Sequence, residues 1–469
     1  MSAAAQTAFQ ILLQRVGIQP GELAGAVRFV GQDPVVPSLH RYGAATAAAL
    51  AVYGAGVAML WRERTGQGQD ISVDLARAVN VGLRSAFYCS QNGQTFRVGS
   101  STRDENVFRT ADDRLVYLLR NTNRGTITQD LVGLLRAPNS TAGIAEAVSK
   151  WRWHDLEEAL AEHKLPGTLI RTPQEWLEHP QGAFLASRPG VHVEKIGESD
   201  PEPLGPGARP FDGMRMLDVS HVIAGPSTGR LLAEQGGDVL HAVNPFEQEK
   251  THVHIDTAFG KRSAYVNLNA VEDVEQLRRL AAKADVFIQN WRPGVMIRKG
   301  FGPEELARLR PGIIYVSISC YGSEGPWAER GGYEPIGQNV SGLSWQEGLP
   351  GRPRNAPTVT MNDYLAPYLA GAGIMAALLR RCREGGSYHV TTSLTQASMW
   401  VLAQGRLDAD TDLSSLGHYR VREGEVGGID CAFGHVTHAN PIIEYSATRP
   451  HWTLPPAPAG SSRLEWLAD

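Results

Sequence analysis

Four groups of residues in this 469-residue chain have types and spacings that could do chemistry. The first is Met361-Asn362-Asp363-Tyr364, a carboxylate just ahead of the almost wholly apolar run Leu365–Leu379. Asp is a favoured helix cap. A carboxylate at a helix start can also attack an activated acyl group, and the helix dipole is expected to keep it ionised at neutral pH. The second is Ser319-Cys320-Tyr321-Gly322 through Gly331-Gly332-Tyr333-Glu334. Here a strand should end in a long Gly-rich loop that presents Glu334 to solvent or, because glycine permits close backbone approach, to a ligand. The third is Asn290-Trp291-Arg292-Pro293-Gly294-Val295 with Arg298 and Lys299 just beyond. Cations beside a Trp face suit a phosphate or a stacked purine, or else form a solvated charged turn. Lys261 and Arg262, in a Gly-Lys-Arg-Ser turn, add a candidate phosphate contact on the same terms. The fourth is the loop Ser220-His221-Val222-Ile223-Ala224-Gly225-Pro226. Small residues followed by Pro at the first helical position let a ligand approach a helix N-terminus.

Other constellations are weaker. The fourth group is not GxGxxG, and no acidic residue closes the next strand, Val243-Asn244-Pro245, which argues against a dinucleotide site. Cys431, His435 and His438 are loosely spaced for a metal and have no fourth ligand close by. His252 and His254 read as alternating positions on one strand face. Gly-x-Ser-x-Gly is absent, so a serine triad has no support.

The segment that carries Asp363 occurs twice. At a constant offset of 319, Ala44–Ala78 matches Asp363–Ala397 without a gap at eleven of thirty-five positions, among them Gly54/Gly373, Arg62/Arg381 and Gly66/Gly385. Composition alone would give roughly three. Each copy reads as an apolar Ala/Leu helix, then Arg and Gly, then a short alternating strand (Ile71–Leu75 and Val390–Leu394). Where the second copy has Asp363 the first has Ala44, which predicts one chemical site and one spare scaffold.

The elements that must position these groups fall into a fold of the α/β class. After the proline-rich segment Ser199–Pro210 the pattern alternates. Strands are expected at Met214–Val219, Val239–Val243, Ala264–Leu268, Val286–Gln289 and Ile313–Ser319, with helices at Pro226–Glu234, Val271–Ala282 and Pro303–Leu309. That is a Rossmann-like doubly wound sheet whose ligand should sit at the carboxyl ends of its strands. Before the linker, strands Leu115–Leu119 and Pro166–Ile170 and helices Thr128–Leu135, Leu156–His163 and Pro173–His179 suggest a small α/β domain. Gln91–Arg103 reads as a polar connection and Pro441–Pro458 as a tail returning over a surface. The expected division is 1–100, a partial degenerate copy of the end of the large domain; 101–187, the small domain; 188–211, a linker; and 212–469, the large domain. A net charge of −4 with scattered cations gives no reason to expect nucleic acid. The alanine-rich run Ala44–Leu60 is short for a membrane span and reads as a buried helix. Four cysteines without CxxC pairing, and no secretory pattern at the N-terminus, fit a cytoplasmic protein.

Taken in order, MLDVSHVIAGPSTGRLLAEQGGDVL, GKRSAYVNLN, ADVFIQNWRPGVMIRKGFG, GIIYVSISCYGSEGP, GGYEPIGQNVSGL and NDYLAPYLAGAGIMAALLRR resemble the family III CoA-transferases, the carnitine dehydratase and bile-acid-inducible protein group. FRTADDRLVYLL and LIRTPQEWLEHPQG resemble that family's small domain. The chain thus resembles a rearranged or fused member. The resemblance implies transfer of CoA between an acyl-CoA and a carboxylic acid, with Asp363 as nucleophile and Glu334 as the second acidic residue. It implies CoA contacts around Val222, Ile223 and Ala224, at Asn290 and at Arg298, which join Lys261 and Arg292 as candidates. CoA would be substrate, with no tightly bound cofactor and no metal. The implied assembly is a homodimer of interlocked chains, or one in which the duplicated segment supplies part of that arrangement within one chain. The related racemase branch has a His-Asp pair where this chain has Tyr333-Glu334, and Tyr is a poor base near neutral pH. A racemase or isomerase and a non-catalytic subunit of a CoA-transferase complex are the alternatives. Ala242-Val243-Asn244 departs from the family's acidic strand end, and no second small domain is present.

Overall fold

Parallel strands buried on both faces need apolar residues on both faces. Val286–Gln289 is buried throughout and Ile314–Ser319 nearly so. In the computed structural model, which describes residues 2–96, 103–120, 126–188, 190–246, 249–349, 351–416 and 419–467, these strands lie inside a seven-stranded sheet. Its order is Lys261–Tyr265, Asp238–Val243, Arg215–Asp218, Val286–Gln289, Ile314–Ser319, Ser387–Ser393, Val191–Gly197. The first six are parallel and follow the chain as 3-2-1-4-5-6, the doubly wound order. Helix Val271–Ala281 shows why such a sequence folds locally. Glu272 and Asp273 lie in its first turn, Arg278 and Arg279 in its last, and Leu277 and Leu280 face the core.

Three expectations need correction. The segment 188–211 is not linker throughout. Val191–Gly197 pairs antiparallel with Ser387–Ser393 at the sheet edge, and the prolines begin only afterwards. The third parallel strand starts at Lys261 rather than Ala264, because the parallel ladder with Asp238–Val243 begins at Lys261, paired with Val239; the Lys261 side chain turns inward to Asp218. His252 and His254 sit on a helix, Thr251–Thr257, not a strand.

The repeat is a structural repeat. Helices Tyr42–Thr65 and Met361–Glu384 pack against each other, and a Cβ at Gly56 would overlap Met375, so this close approach requires glycine. Ile71–Asp74 lies parallel to Val27–Val30 just as Ser387–Ser393 lies parallel to Ile314–Ser319. The third strand of each set is antiparallel and comes from the other half of the chain. Val191–Gly197, which follows the small domain, completes the second copy's sheet. Glu444–Tyr445, in the C-terminal tail, pairs with Ser72 and Ile71 of the first. The copies differ in the connection from strand to long helix, residues 31–41 in the first and 320–360 in the second. Only the longer one carries helices Glu334–Val340 and Leu343–Glu347. Helix Tyr42–Thr65 is long and apolar enough to cross a membrane, but its apolar stretch is buried in protein.

The small α/β unit has antiparallel strands Val107–Arg109, Leu115–Leu118 and Gly167–Leu169 and its own core around Phe108, Leu131, Ile144 and Leu156. It docks on the long connection. The Arg171 N–H donates to the Asn339 carbonyl at 3.1 Å, and Tyr117, Ile170 and Trp176 share an apolar cluster with Cys320, Ile336 and Val340. Val426–Cys431 and Gly434–Ala439 form a hairpin extended by Ser90–Gln91, an element the sequence pattern did not suggest. It carries Cys431, His435 and His438; among the described residues no three His, Cys, Asp or Glu side chains are grouped to hold a metal. Residues 97–102 of the expected connection Gln91–Arg103 lie outside the described residues.

Candidate active site

Asp363 lies in the first turn of its helix, and the cap is Thr360. The turn into the helix is sharp, with Val359 at φ 69°. A β-branched residue in the left-handed region costs on the order of 1–3 kcal/mol and persists only where surroundings impose it. The Asp363 side chain accepts no hydrogen bond from the described residues and is 9% exposed. Burial pushes its carboxyl up to about 7, the direction opposite to the one expected from the helix dipole alone.

Glu334 opens the helix Glu334–Val340 rather than projecting from a loop, and it is buried. Its Oε1 accepts the Asn362 N–H at 3.0 Å and a Gln338 Nε2–H at 2.5 Å. Its carbonyl oxygen accepts from Asn362 Nδ2 at 3.1 Å, and Ser398 Oγ donates to Asn362 Oδ1 at 2.9 Å. The backbone immediately before Asp363 is therefore tied to the second carboxylate. Cys320 is buried near both acids, its thiol pushed up by burial, and a Cβ at Gly332 would collide with its sulfur. The residue types at Gln338, Asn362 and Ser398 carry no local signal of this role; only their adjacency to Glu334 and Asp363 in the fold reveals it.

The other candidates gather around Trp291, whose Nε1 donates to the Val219 carbonyl at 2.7 Å and whose ring lies 4.5 Å from that of His221. Two cavities flank it. One of about 260 Å³ is lined by Ser220, His221, Asn244, Glu249 and Tyr265, at the carboxyl ends of the first three parallel strands. The other, of about 390 Å³, is lined by Gln289, Arg292, Gly294, Ser317 and Ser319. Neither lining includes Asp363 or Glu334. Arg292 reaches from this second cavity to the small unit, donating to the Lys164 carbonyl at 3.1 Å, and it packs on Gly331 of the glycine loop. Arg298 is exposed at the end of the short helix Val295–Arg298.

Val222 is held at φ 63°, and its N–H donates to the Glu249 carboxylate. Ile223 and Ala224 are buried at the start of helix Ala224–Ala233. Asn290 clamps this loop. Its Oδ1 accepts the His221 N–H at 2.9 Å and its Nδ2 donates to the His221 carbonyl at 2.7 Å. Asn290 therefore shapes the loop with its side chain. Lys261 does not fit a phosphate contact. Its ammonium is enclosed, donating to Asp218 Oδ2 at 3.0 Å and to the Pro226 carbonyl at 2.9 Å.

The equivalent position in the first copy is closed by other acids. The Asp33 carboxylate accepts the Gly43 and Ala44 N–H groups at 2.7 and 2.8 Å. Buried Glu347, from the long connection, is bonded to Ser38, His40 and Tyr42.

The chain is similar to an acetyl-coenzyme A transferase, nodX, of Hypoxylon pulicicidum (31% identical over 278 residues, 56% of this chain and 47% of the relative). It is similar also to the alpha subunit of a succinyl-CoA–L-malate CoA-transferase of Chloroflexus aurantiacus (28% over 274 residues, 52% and 64%). The chain thus spans about half to two thirds of the length of these relatives. Among solved structures, a CAIB/BAIF family protein from Brucella suis shares 29% identity, with a TM-score of 0.38 over 43% of this chain and 59% of that one. The sequence pattern of CoA-transferase family III matches residues 22–188 and 211–427, most of the chain on both sides of the proline-rich segment. The chain belongs to CoA-transferase family III.

Proposed function

We propose that this protein transfers CoA between an acyl-CoA and a carboxylic acid, with Asp363 as nucleophile. The observation that carries the reading is the state of Asp363: a nearly buried carboxyl, pushed up to about 7, with no hydrogen bond from the described residues and the N–H of the preceding Asn362 fastened to Glu334. A desolvated carboxylate is a stronger nucleophile than a hydrated one. Its oxygen attacks the thioester carbonyl and the C–S bond breaks, giving an acyl–aspartyl anhydride and CoA thiolate. The thiolate attacks the aspartyl carbonyl, the C–O bond breaks, and the first acid leaves from an aspartyl-CoA thioester. The acceptor carboxylate then attacks that thioester and the C–S bond breaks, giving an acceptor–aspartyl anhydride and CoA thiolate; the thiolate attacks the acceptor's acyl carbon, the C–O bond breaks, and Asp363 leaves as its carboxylate. Thioester energy is kept at each step, so the cycle needs no nucleotide hydrolysis. In this reading, backbone N–H groups of the glycine loop would stabilise the oxyanions.

The cavities beside Trp291 suit the nucleotide end of CoA, with Arg292, which lines one of them, as a phosphate partner; Arg298 and Val222–Ala224, which line neither, remain candidates from the family resemblance alone. The names of the relatives point to acetyl-CoA and succinyl-CoA as first donors to try and to a dicarboxylic acid such as malate as acceptor. The two antiparallel strands exchanged between halves support a reading in which residues 1–100 stand in for part of a partner subunit, with 212–469 as the catalytic large domain.

The test is incubation with acetyl-CoA or succinyl-CoA and hydroxylamine. The hydroxylamine nitrogen attacks the activated Asp363 carbonyl and leaves an aspartyl hydroxamate there, located by peptide mass. Absence of a hydroxamate with both donors sinks the reading. CoA binding without trapping would favour a non-catalytic subunit, and α-proton exchange in deuterium oxide a racemase.

A further inference from the structure

The residue after Asp363 is held by a buried polar network that crosses into the first half of the chain. Tyr364 Oη donates to Asp256 Oδ2 at 2.7 Å and accepts the Ala86 N–H at 3.1 Å. Asp256 Oδ1 accepts from Ser85 Oγ at 2.6 Å and from Arg230 at 3.1 Å. Arg230 also donates to Ser85 Oγ at 2.8 Å and to the Ala439 carbonyl at 3.1 Å. Tyr364, Asp256, Arg230 and Ser85 are all buried. One turn earlier, at the cap, Thr360 Oγ1 donates to the Leu83 carbonyl at 3.4 Å. Leu83 lies just before, and Ser85 and Ala86 just after, a kink at Arg84 in the stretch Gly82–Tyr88, which follows the first copy's strand and helix.

Apolar packing holds this buried helix against its neighbours. Hydrogen bonds to a buried ion are directional and short-ranged, so they fix rotation as well. Asp363 and Tyr364 are consecutive residues of one helical turn, and the direction of one sets that of the other. A nucleophile misplaced by about 1 Å loses on the order of a hundredfold in rate.

We propose that Tyr364 and Asp256 are positioning residues for Asp363. The first half, although it carries Ala44 where the second carries Asp363, takes part in the reaction by anchoring them through Leu83, Ser85 and Ala86. The proposal rests on Asp363 being the nucleophile. It gives the degenerate copy a role beyond that of a spare scaffold.

Tyr364→Phe removes only the phenolic oxygen. Tyr53→Phe is a matched control, because Tyr53 is equally buried and its Oη donates at 2.7 Å to the Leu231 carbonyl between the same two halves, outside the network. The full chain is mixed with acetyl-CoA or succinyl-CoA and hydroxylamine, and the rate of hydroxamate formation at Asp363 is followed. Affinity for CoA alone is titrated separately. Tyr364→Phe is expected to slow trapping by about tenfold or more relative to Tyr53→Phe, with CoA affinity and thermal midpoint matching the control. Ser85→Ala is expected to slow it in the same direction, and it carries the test on the same criterion if Tyr364→Phe does not fold. A loss no larger than that of Tyr53→Phe, or one accompanied by an equal loss of CoA affinity, overturns the proposal. If the wild-type chain forms no hydroxamate, the nucleophile reading fails and this proposal with it.

Discussion

Replacing Asp363 by Asn should stabilise the protein, and the gain should grow with pH. An aspartyl side chain pushed up to about 7 by burial binds its proton more tightly in the folded than in the unfolded chain. Below about pH 4 both states are protonated and the group contributes no penalty. Between about pH 4 and pH 7 the unfolded chain has released the proton while the folded one keeps it, so stability falls as pH rises. Above about 7 the folded state holds a desolvated charge and the penalty is constant. Raising a carboxyl this far corresponds to on the order of 4 kcal/mol at pH 8 and about 1.5 kcal/mol at pH 5. The 9% exposure of the residue leaves some relief by water, so a gain of about 2–4 kcal/mol at pH 8 is the expectation. Asn matches the protonated acid in shape and carries no charge, so it removes this term and little else. Urea unfolding of wild type and Asp363→Asn at pH 5 and pH 8, at one ionic strength, reads the difference directly. Titration of all other groups cancels between the two proteins. A variant–wild-type difference that is the same at both pH values, or a variant less stable at pH 8, would refute the burial argument. In the wild type the same ionisation predicts that the rate of hydroxamate trapping rises through about pH 7, as the attacking carboxylate forms.

Further outcomes follow from the contacts around the site. Asp363→Ala should abolish trapping and transfer, whereas Ala44→Asp should create no second trapped site. It should also cost more than about 3 kcal/mol, because the new carboxylate would be fully buried beside Asp33; thermal melting and peptide mapping check both parts. Lys261→Met should destabilise by about 3–5 kcal/mol through the uncompensated Asp218, while folded protein keeps its CoA affinity; loss of affinity at unchanged stability would restore Lys261 as a ligand. Glu334→Gln can still accept the Asn362 N–H, so the fold should persist within about 1 kcal/mol while the trapping rate drops by tenfold or more. An unchanged rate would leave Glu334 a structural residue only.

Much of the molecule was legible because its signals are local. Val286–Gln289 and Pro303–Leu309 form over the residues their apolar runs and proline specify, and both 24-residue helices of the repeat keep the offset of 319. The parallel sheet follows from strand–helix alternation. The errors arose where a distant partner overrides local pattern. Val191–Gly197 looked like linker because its pairing strand lies nearly two hundred residues away. Lys261 looked like an exposed cation because nothing nearby in sequence marks Asp218 as its counter-ion.

The same division applies to Asp363 and its copy. Sequence alone determined that one of two matching segments has a carboxylate and the other Ala44, and motif order singled out Asp363 and Glu334. Tertiary structure supplied the burial that pushes this carboxyl up, a desolvation that the helix-dipole reasoning from sequence did not contain. It also decided what surrounds each copy: Asp33 and Glu347 close the first, while Glu334, Asn362 and the Tyr364–Asp256 network frame the second. Desolvation and hydrogen-bond direction depend on which groups meet in space, and these groups come from segments that no local pattern connects.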